Sequence, residues 1–299
     1  MLLVVGVDAG GTGSRAVLAR SDGTVVGRGC AGPGNLFTPH GPTSIGTAIR
    51  AALGNHDPAL VAAAVVGAAG VSALGSHPEF RSSLGLSCPV DVVGDAVTAF
   101  AAGVSDPGGA VLIAGTGAVA ARIENWQVGR TADGLGLLLG DEGSGAWLGL
   151  QAVRAAARAF GSDDSLVAAV IAHTGARSCD DLVRWAGRQP PSAFAALAPL
   201  VCGSGDGAAV QILGEAVTRL VATLTELGPP DGPVVLAGGL LTRPTPVRHG
   251  VLAALPGVPL STSRDPAVGA AWLALRRTLD LDRDAAARLH RVMLAPPRP

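Results

Sequence analysis

Charged and aromatic residues are scarce in this chain of 299 residues, and tyrosine is absent. Only 15% of the residues are charged and 3% are aromatic. The formal net charge of -1 provides no basic field that could attract a polyanion. We therefore expect no nucleic-acid partner.

The four cysteines form no recognised metal or disulfide motif. They are far apart in the sequence, without a C-x-x-C pair, at Cys30, Cys88, Cys179 and Cys202. This spacing disfavours a zinc site and a disulfide framework.

We expect neither a membrane span nor a signal peptide in this chain. An uncharged stretch at 59–76 contains three glycines and two serines, which indicates a buried strand with its loop rather than a membrane span. The apolar residues at the start of the chain reach Asp8 without a preceding basic region. We expect a cytoplasmic protein that has no membrane partner.

Residues 4–18 predict an apolar strand, an acidic glycine-rich hairpin and a second strand. Because glycine has no Cβ, the peptide N–H groups of such a turn can face an anion, and nearby hydroxyl groups add further donors. The predicted phosphate-binding residues of this first hairpin are Gly10, Gly11, Thr12, Gly13 and Ser14. Glycine-rich hairpins also serve only to join strands, so this turn alone is weak support for a phosphate site.

The same pattern occurs again in the second half of the chain. An apolar strand is followed by Gly115, Thr116 and Gly117 and then by another apolar strand. This repeat predicts two similar halves that face each other, with a phosphate loop on each wall of a cleft. A further buried strand ends in Gly238 and Gly239, where an adenine or ribose could lie against the backbone.

Five ordered motifs resemble the N-acetylglucosamine kinase and BadF-type ATPase group of the actin-like ATPase and sugar-kinase superfamily. The resemblance covers residues 2 to about 275. In chain order the motifs are Asp-x-Gly-Gly-Thr at 8–12, Gly-Asp-Ala at 94–96, Gly-Thr-Gly at 115–117, Gly-Asp-Glu-Gly-Ser at 140–144 and Ala-Gly-Gly at 237–239.

The resemblance implies an α/β protein with the two-domain actin-like ATPase (ribonuclease H-like) fold and a central cleft. We expect an N-terminal α/β domain at 1–106 and a C-terminal α/β domain at 107–299, with a helix from about 265 packing back on the first domain. The sequence pattern itself predicts strands near 2–7, 14–20, 24–30, 61–68, 90–94, 110–115, 117–123, 127–131 and 233–238. It predicts helices near 41–54, 96–104, 144–160, 164–174, 179–187, 193–200, 206–227, 245–255 and 266–278.

Two acidic residues resemble the family's catalytic machinery. Asp95 follows an apolar strand and resembles the aspartate that accepts the proton of the sugar hydroxyl, although a helix N-cap would explain it as well. Asp8 begins the first hairpin, where a carboxylate beside phosphates requires a cation, so we expect it to contact Mg²⁺. An Asx-type turn is the structural alternative for Asp8.

Hairpin 1 departs from the family pattern in its basic residue. Gly13 stands where a Lys or Arg is often found, and Arg15 lies two residues further on. The sequence leaves open which cation steadies the phosphates at this turn.

The resemblance also implies a set of sugar-binding residues. These are Asn35, Asp95, Asp133, Gly134 and Asp141. Asn35 is otherwise a turn residue, and Asp141 with Glu142 would also suit a helix N-terminus.

Asp133 is an extra acid where related kinases bind the substituent on the amino carbon. Because a carboxylate favours a free ammonium group, it favours glucosamine, although a surface turn explains it equally well.

Together these features predict a kinase that uses ATP and Mg²⁺ to phosphorylate the 6-hydroxyl of an amino sugar, with glucosamine preferred. The alternatives are an N-acetylglucosamine kinase, a BadF-type ATPase that acts on a protein partner, and a non-catalytic sugar sensor. We expect a homodimer, which is common among the relatives.

Overall fold

The computed structural model describes residues 2–76, 79–229 and 231–295, which contain two five-stranded sheets. The strands of sheet 1 are β1 (Leu3–Ala9), β2 (Ser14–Arg20), β3 (Val25–Ala31), β4 (Val61–Ala68) and β5 (Val90–Gly94). The strands of sheet 2 are β6 (Gly109–Ala114), β7 (Ala118–Glu124), β8 (Gln127–Asp133), β9 (Val234–Ala237) and β10 (Leu260–Thr262).

The two sheets have the same topology. Their strand orders are β3-β2-β1-β4-β5 and β8-β7-β6-β9-β10. In each sheet the first three strands form an antiparallel meander, and the last two strands are added in parallel. Each glycine-rich hairpin therefore joins the first two strands of its own sheet. This duplication confirms the prediction of two related α/β halves.

The helices in the described residues lie mostly in the second half of the chain. They are α1 (Gly41–Leu53), α2 (Phe80–Ser83), α3 (Asp95–Ala101), α4 (Gly145–Arg158), α5 (Ser165–Thr174), α6 (Cys179–Ala186), α7 (Pro191–Ala195), α8 (Ala198–Gly203), α9 (Gly207–Thr225), α10 (Gly239–Thr242), α11 (Pro246–Ala254), α12 (Pro266–Thr278) and α13 (Arg283–Met293).

Helices α3 and α12 lie between the two sheets and share one hydrophobic core with both of them. This core contains side chains of sheet 1, of sheet 2 and of the two helices, such as Val65, Val111, Phe100 and Trp272. Helix α12 therefore packs against the sheet built from the first hundred residues, although it lies late in the sequence.

Two glycines allow this close packing. A Cβ at Gly6 of β1 would lie 2.2 Å from the carbonyl oxygen of Ala267 and 2.2 Å from the nitrogen of Ala271, both in α12. A Cβ at Gly269 of α12 would lie 2.7 Å from the carbonyl oxygen of Thr98 in α3. Any side chain at these positions would separate the elements, so backbone contact here requires glycine.

An aromatic cluster fixes the junction between the halves. Asn125 and Trp126 form the β7–β8 turn with positive φ angles of 51° and 63°. The turn places the Trp126 ring 5.0 Å from the ring of Trp272 and 6.0 Å from that of Phe100. The backbone N–H of Trp126 donates to the carbonyl of Pro107 at 3.1 Å, which ties the turn to the connection between the sheets.

Helix α9 is the helix of the described residues that is long and apolar enough to cross a membrane by length and composition. It is amphipathic in the folded chain, because Ile212, Leu213 and Leu220 are buried in the core of the second half while Glu215 and Arg219 are exposed. A core helix with one buried face passes the same test, so this feature is weak support for a membrane span.

The secondary structure differs from the sequence-based prediction in several places, and the short helices α2 and α10 are among the elements that were not predicted. The single helix predicted near 193–200 is two helices, α7 and α8, and Pro199 lies in the first turn of α8, where its missing N–H is tolerated. Strand β10 has only three residues and was not predicted. Helix α13 was not predicted either, although the Asp282 carboxylate caps it by accepting the N–H of Ala285 at 2.8 Å.

We predict that Gly6→Ala lowers the melting temperature, because the added methyl group must push α12 away from β1. Overpacking of this kind costs about 1–3 kcal/mol. The matched control is Gly214→Ala in α9, where a Cβ meets nothing within 4 Å and alanine favours the helix by about 0.5–1 kcal/mol. Thermal unfolding of both variants tests the packing, and a Gly6→Ala protein as stable as the wild type would contradict it.

Candidate active site

The carboxyl ends of three parallel strands bring two predicted acidic residues to one edge of sheet 1. Strands β1, β4 and β5 run parallel, and Asp8 of β1 is paired with Gly67 of β4. Asp95 follows directly after β5. A Cβ at Gly67 would lie 2.1 Å from Oγ1 of Thr98, so glycine at this position lets α3 pack closely on β4. The close packing sets the position of Asp95 relative to Asp8.

Asp8 lies in an environment that disfavours its negative charge. Burial is the main cause that raises its pKa to about 7, and the negative charge of Asp95 is the next. Asp265, just before α12, adds to the rise, whereas the positive charge of Arg15 opposes it. A carboxylate in such surroundings is stabilised strongly by any cation that reaches it.

Asp95 is the first residue of α3 and has an incompletely satisfied carboxylate. The N-cap of α3 is Gly94, so the structure does not support the interpretation of Asp95 as the N-cap residue. Its Oδ1 accepts the N–H of Ala96 at 3.0 Å, while Oδ2 has no hydrogen bond to the described residues. Burial raises the pKa of Asp95, and the bond from Ala96 opposes the rise. The arrangement is suited to accepting a proton.

Hairpin 1 has open space next to its backbone at Gly11. The N–H of Gly10 donates to the carbonyl of Gly13 at 3.0 Å and closes the turn. A Cβ at Gly11 would meet nothing within 4 Å, and none of the three glycines of the turn has a positive φ. Neither strain nor packing within the described residues therefore requires glycine at position 11. An anion that approaches the backbone would require it.

The hydroxyl of Ser14 has a different partner from the one predicted. It is buried and donates to the carbonyl of Gly32 at 3.0 Å. Its hydrogen is thus used inside the protein, and the side chain holds the 32–34 segment against the hairpin. The role of Ser14 as a phosphate donor stays a prediction, and it would require the hydroxyl to give up this bond. Thr12 is exposed and makes no hydrogen bond through its side chain to the described residues.

Hairpin 2 is the turn at 115–117 between β6 and β7, and its carbonyl groups accept hydrogen bonds from the first N–H groups of α4. The carbonyls of Gly115 and Thr116 accept the N–H groups of Gly145 at 2.8 Å and Ala146 at 3.1 Å. The backbone N–H groups of Thr116 and Gly117 have no acceptor among the described residues. These donors are the part of the loop that remains available for an anion.

Asp141 lies against hairpin 2 instead of capping α4. A Cβ at Gly117 would lie 2.8 Å from both carboxylate oxygens of Asp141, and Oδ1 accepts the N–H of Ala118 at 3.1 Å. The N-cap of α4 is Ser144, whose hydroxyl accepts the N–H of Trp147 at 3.1 Å. Burial raises the pKa of Asp141, and the charge of Asp133 contributes. Asp141 is therefore a half-buried carboxylate beside the second loop.

The Gly238–Gly239 pair borders the same loop. A Cβ at Gly238, which has a φ of 80°, would lie 2.3 Å from the carbonyl oxygen of Ala114 and 2.8 Å from the nitrogen of Gly115. Glycine is required here by both the backbone angle and the close approach. A Cβ at Gly239 would meet nothing within 4 Å, so an open backbone surface lies next to hairpin 2.

Asp133 holds a loop in place. Its Oδ1 accepts the N–H of Asp141 at 2.7 Å, and its Oδ2 accepts the N–H of Glu142 at 2.8 Å. Both carboxylate oxygens are therefore bound to backbone groups of this chain. The role of Asp133 in sugar binding stays a prediction, and both of its carboxylate oxygens already hold backbone groups of this chain. The adjacent Gly134, predicted to bind sugar, has a positive φ of 76° and allows the turn that begins this loop.

Asn35 forms the turn that the sequence suggested and keeps its amide group available. Its Oδ1 accepts the N–H of Phe37 at 2.9 Å, and its Nδ2 donates to none of the described residues. The exposed ring of Phe37 and the turn at Gly70 lie beside it, because a Cβ at Gly70 would come within 2.6 Å of Asn35 Oδ1.

Sequence reasoning missed Asp265, which precedes α12 and contributes to the charge around Asp8. Its Oδ2 accepts a hydrogen bond from Arg28 of β3 at 2.7 Å, and its Oδ1 accepts the N–H of Val268. The duplication of the chain offers a signal for it, because Asp265 lies at the start of the helix after the last strand of sheet 2, as Asp95 lies at the start of the helix after the last strand of sheet 1.

Sequence reasoning also missed an exposed apolar loop. Leu135, Leu138 and Leu139 are 64%, 95% and 80% exposed in the loop that Asp133 holds. Such exposure is unusual for three leucines in one loop.

A sequence profile of the BadF/BadG/BcrA/BcrD ATPase family matches residues 5–274. A curated relative from Clostridium acetobutylicum, the N-acetylmuramic acid/N-acetylglucosamine kinase, is 27% identical over 265 residues, which is 81% of this chain and 87% of the relative.

Solved structures share the architecture. A candidate N-acetylglucosamine kinase from Chromobacterium violaceum is 29% identical, with a TM-score of 0.78 over 91% of this chain and 98% of its own. A ROK-family glucokinase from Streptomyces griseus, solved with glucose and AMPPNP, has a TM-score of 0.59 over 91% of this chain and 99% of its own. At 21% identity the glucokinase shows the fold alone. These neighbours confirm the predicted actin-like fold, and the profile match shows that the chain belongs to the BadF/BadG/BcrA/BcrD ATPase family.

Proposed function

We propose that this chain is an ATP- and Mg²⁺-dependent amino-sugar kinase that transfers the γ-phosphoryl group to the primary 6-hydroxyl of its substrate. The observation that carries the proposal is the half-buried Asp95 carboxylate, which has a raised pKa and keeps one oxygen without a hydrogen-bond partner among the described residues. A positioned carboxylate of this kind can accept the proton of an attacking hydroxyl.

The two hairpins support a nucleoside triphosphate as the phosphoryl donor. Gly11 presents open backbone in the first hairpin, and Thr116 and Gly117 present N–H groups without acceptors among the described residues in the second. Fixed N–H groups stabilise phosphate charge without needing to reorganise during transfer. The open backbone at Gly239 next to hairpin 2 supports the assignment of Gly238 and Gly239 to the adenosine.

The residues present fit a magnesium ion that is shared with the nucleotide. Asp8 is destabilised as an anion by burial and by Asp95, so a divalent cation would offset both effects. Within 2–76, 79–229 and 231–295 there is no cluster of three or more metal-ligating side chains. Mg²⁺ is usually held by one or two carboxylates together with phosphate oxygens and water, which is consistent with Asp8 as the contact. The ion would draw charge from the phosphate oxygens.

The proposed reaction is a direct phosphoryl transfer. The 6-hydroxyl oxygen forms a bond to the γ-phosphorus, the bond from that phosphorus to the bridging oxygen of ADP breaks, and Asp95 receives the hydroxyl proton. Exclusion of water is essential, because water would be a competing acceptor. Asn35 on the first half and Asp141 on the second are proposed to bind the sugar hydroxyls from opposite sides.

The substrate proposed is N-acetylglucosamine, with glucosamine as the alternative acceptor. The sequence-based preference for glucosamine depended on a free Asp133 carboxylate, and both oxygens of Asp133 are bound to backbone N–H groups. The neighbouring exposed leucines are better suited to a neutral acyl group than to an ammonium ion. The names of the relatives from C. acetobutylicum and C. violaceum are consistent with this choice.

We predict that Asp95→Asn lowers kcat by about 10²–10⁴-fold, because the amide cannot accept the hydroxyl proton. Nucleotide affinity should change little. The matched control is Asp91→Asn on the exposed surface of β5, where the carboxylate pairs with Arg277 and not with the site. Steady-state kinetics and nucleotide titration measure both effects, and near-normal turnover of Asp95→Asn would exclude this role.

We predict that Asp8→Asn stabilises the metal-free protein increasingly as the pH rises from 4 to 7. The folded chain holds the Asp8 proton up to about pH 7, whereas the unfolded chain releases it near 3.8, so ionisation disfavours the folded state between these values. The variant should therefore melt at a higher temperature than the wild type at pH 8 and at a similar temperature at pH 4, measured in EDTA. The same variant should bind Mg²⁺–ATP more weakly.

Asp22→Asn provides the comparison for this experiment, because the N–H of Thr24 lowers the pKa of the exposed Asp22 carboxyl. That variant should show no gain in stability with rising pH. A difference between Asp8→Asn and the wild type that is constant from pH 4 to 8 would contradict the assignment for Asp8.

We predict that ADP release requires a sugar and is fastest with N-acetylglucosamine. The assay compares N-acetylglucosamine, glucosamine, glucose, mannosamine and no sugar. A clear preference for glucosamine would reverse the substrate choice. Sugar-independent hydrolysis would favour an ATPase that acts on a partner, and sugar binding without ADP release would favour a sensor.

A further inference from the structure

We propose that Arg15 is the side chain that contacts the terminal phosphates of the nucleotide at hairpin 1. This inference rests on the proposed kinase function and adds a specific residue to its phosphate site. It concerns a position that follows the glycine turn and lies on β2.

The chain can neutralise phosphate charge with arginine but not with lysine. Its 22 basic residues are all arginines, and lysine does not occur in the sequence. The acidic residues around hairpin 1, which are Asp8, Asp95 and Asp265, would repel a triphosphate. A magnesium ion can offset part of this repulsion, and a protein cation on the same face would offset more of it.

The strand register places the Arg15 side chain on the face of sheet 1 that carries Asp8. Arg15 of β2 is paired directly with Asp8 of β1, so the two side chains leave the same side of the sheet. The positive charge of Arg15 acts on the Asp8 carboxyl, which agrees with this placement. Gly13 lies two residues before Arg15, and a Cβ at this position would lie 3.5 Å from the carbonyl oxygen of Ala31.

The Arg15 guanidinium also has no partner among the described residues. Its side chain is exposed, and it makes no ion pair or hydrogen bond with the described residues. Arg28, on the neighbouring strand, differs because its guanidinium is paired with Asp265 at 2.7 Å. An exposed arginine opposite Asp8, without a fixed partner in the described chain, is available to a ligand.

A guanidinium group matches the proposed ligand in geometry. It is planar, always charged and can donate two parallel hydrogen bonds to a phosphate group. We place it at the terminal phosphates because hairpin 1 is the loop next to Asp8 and Asp95, where transfer is proposed to occur. The adenosine is assigned to Gly238 and Gly239, which lie on the other half.

The test compares nucleotides that differ in their phosphates. Calorimetric titration of wild type and Arg15→Gln uses AMPPNP with Mg²⁺, ADP with Mg²⁺, and adenosine. We expect Arg15→Gln to lose about 10–100-fold in affinity for AMPPNP, less for ADP and nothing for adenosine. Arg15→Lys should recover part of the loss, because lysine keeps the charge without the paired donors.

The matched control is Arg20→Gln, which removes the same charge from the other end of β2 and should leave all three affinities unchanged. Melting temperatures show that each variant is folded. If the wild type binds AMPPNP and Arg15→Gln binds it equally well, the inference is wrong and the kinase proposal stands. A wild type that binds no triphosphate would overturn both. An equal loss for adenosine would also overturn the inference, because it would indicate a structural role.

Discussion

Burial of two neighbouring carboxylates, those of Asp8 and Asp95, is the constraint on which the site depends, because it disfavours their negative charge. Asp8 and Asp95 come together because α3 and α12 pack directly on the backbone of sheet 1, at glycines 6 and 67. The core around these helices fixes the distance, so the two acids cannot separate to relieve their repulsion. Positive charge that binds here would offset this cost, as the proposed metal-bound polyphosphate would.

The two halves have the same topology but have diverged in chemistry. Asp8 is the residue before the last in β1, and the corresponding position of β6 is the apolar Ile113. Hairpin 1 keeps an open backbone, whereas the carbonyls of hairpin 2 begin α4 and its last glycine lies under the Asp141 carboxylate. The first half is therefore the one proposed to hold the metal and the proton acceptor, whereas the second half presents backbone N–H groups. In the proposed function the transfer therefore takes place beside Asp8 and Asp95 of the first half.

Local sequence pattern predicted most of the framework but not the partners of its polar side chains. Both glycine hairpins, the strands around them and the position of Asp95 after β5 follow from short-range patterns of apolar residues and glycine. The roles of Ser14 and Asp133 do not, because their hydrogen bonds go to backbone groups that only the folded chain brings close. Strand β10 has three residues, which is too short for an alternating pattern to appear.

A crystal structure of the protein with Mg²⁺ and AMPPNP tests the central claim most directly, which is that the two glycine hairpins together bind a triphosphate beside Asp8 and Asp95. We expect the terminal phosphates between the backbone of hairpin 1 and the N–H groups of Thr116 and Gly117, the metal next to Asp8 and the adenosine against Gly239. A nucleotide bound elsewhere, or phosphates that contact only one hairpin, would contradict it.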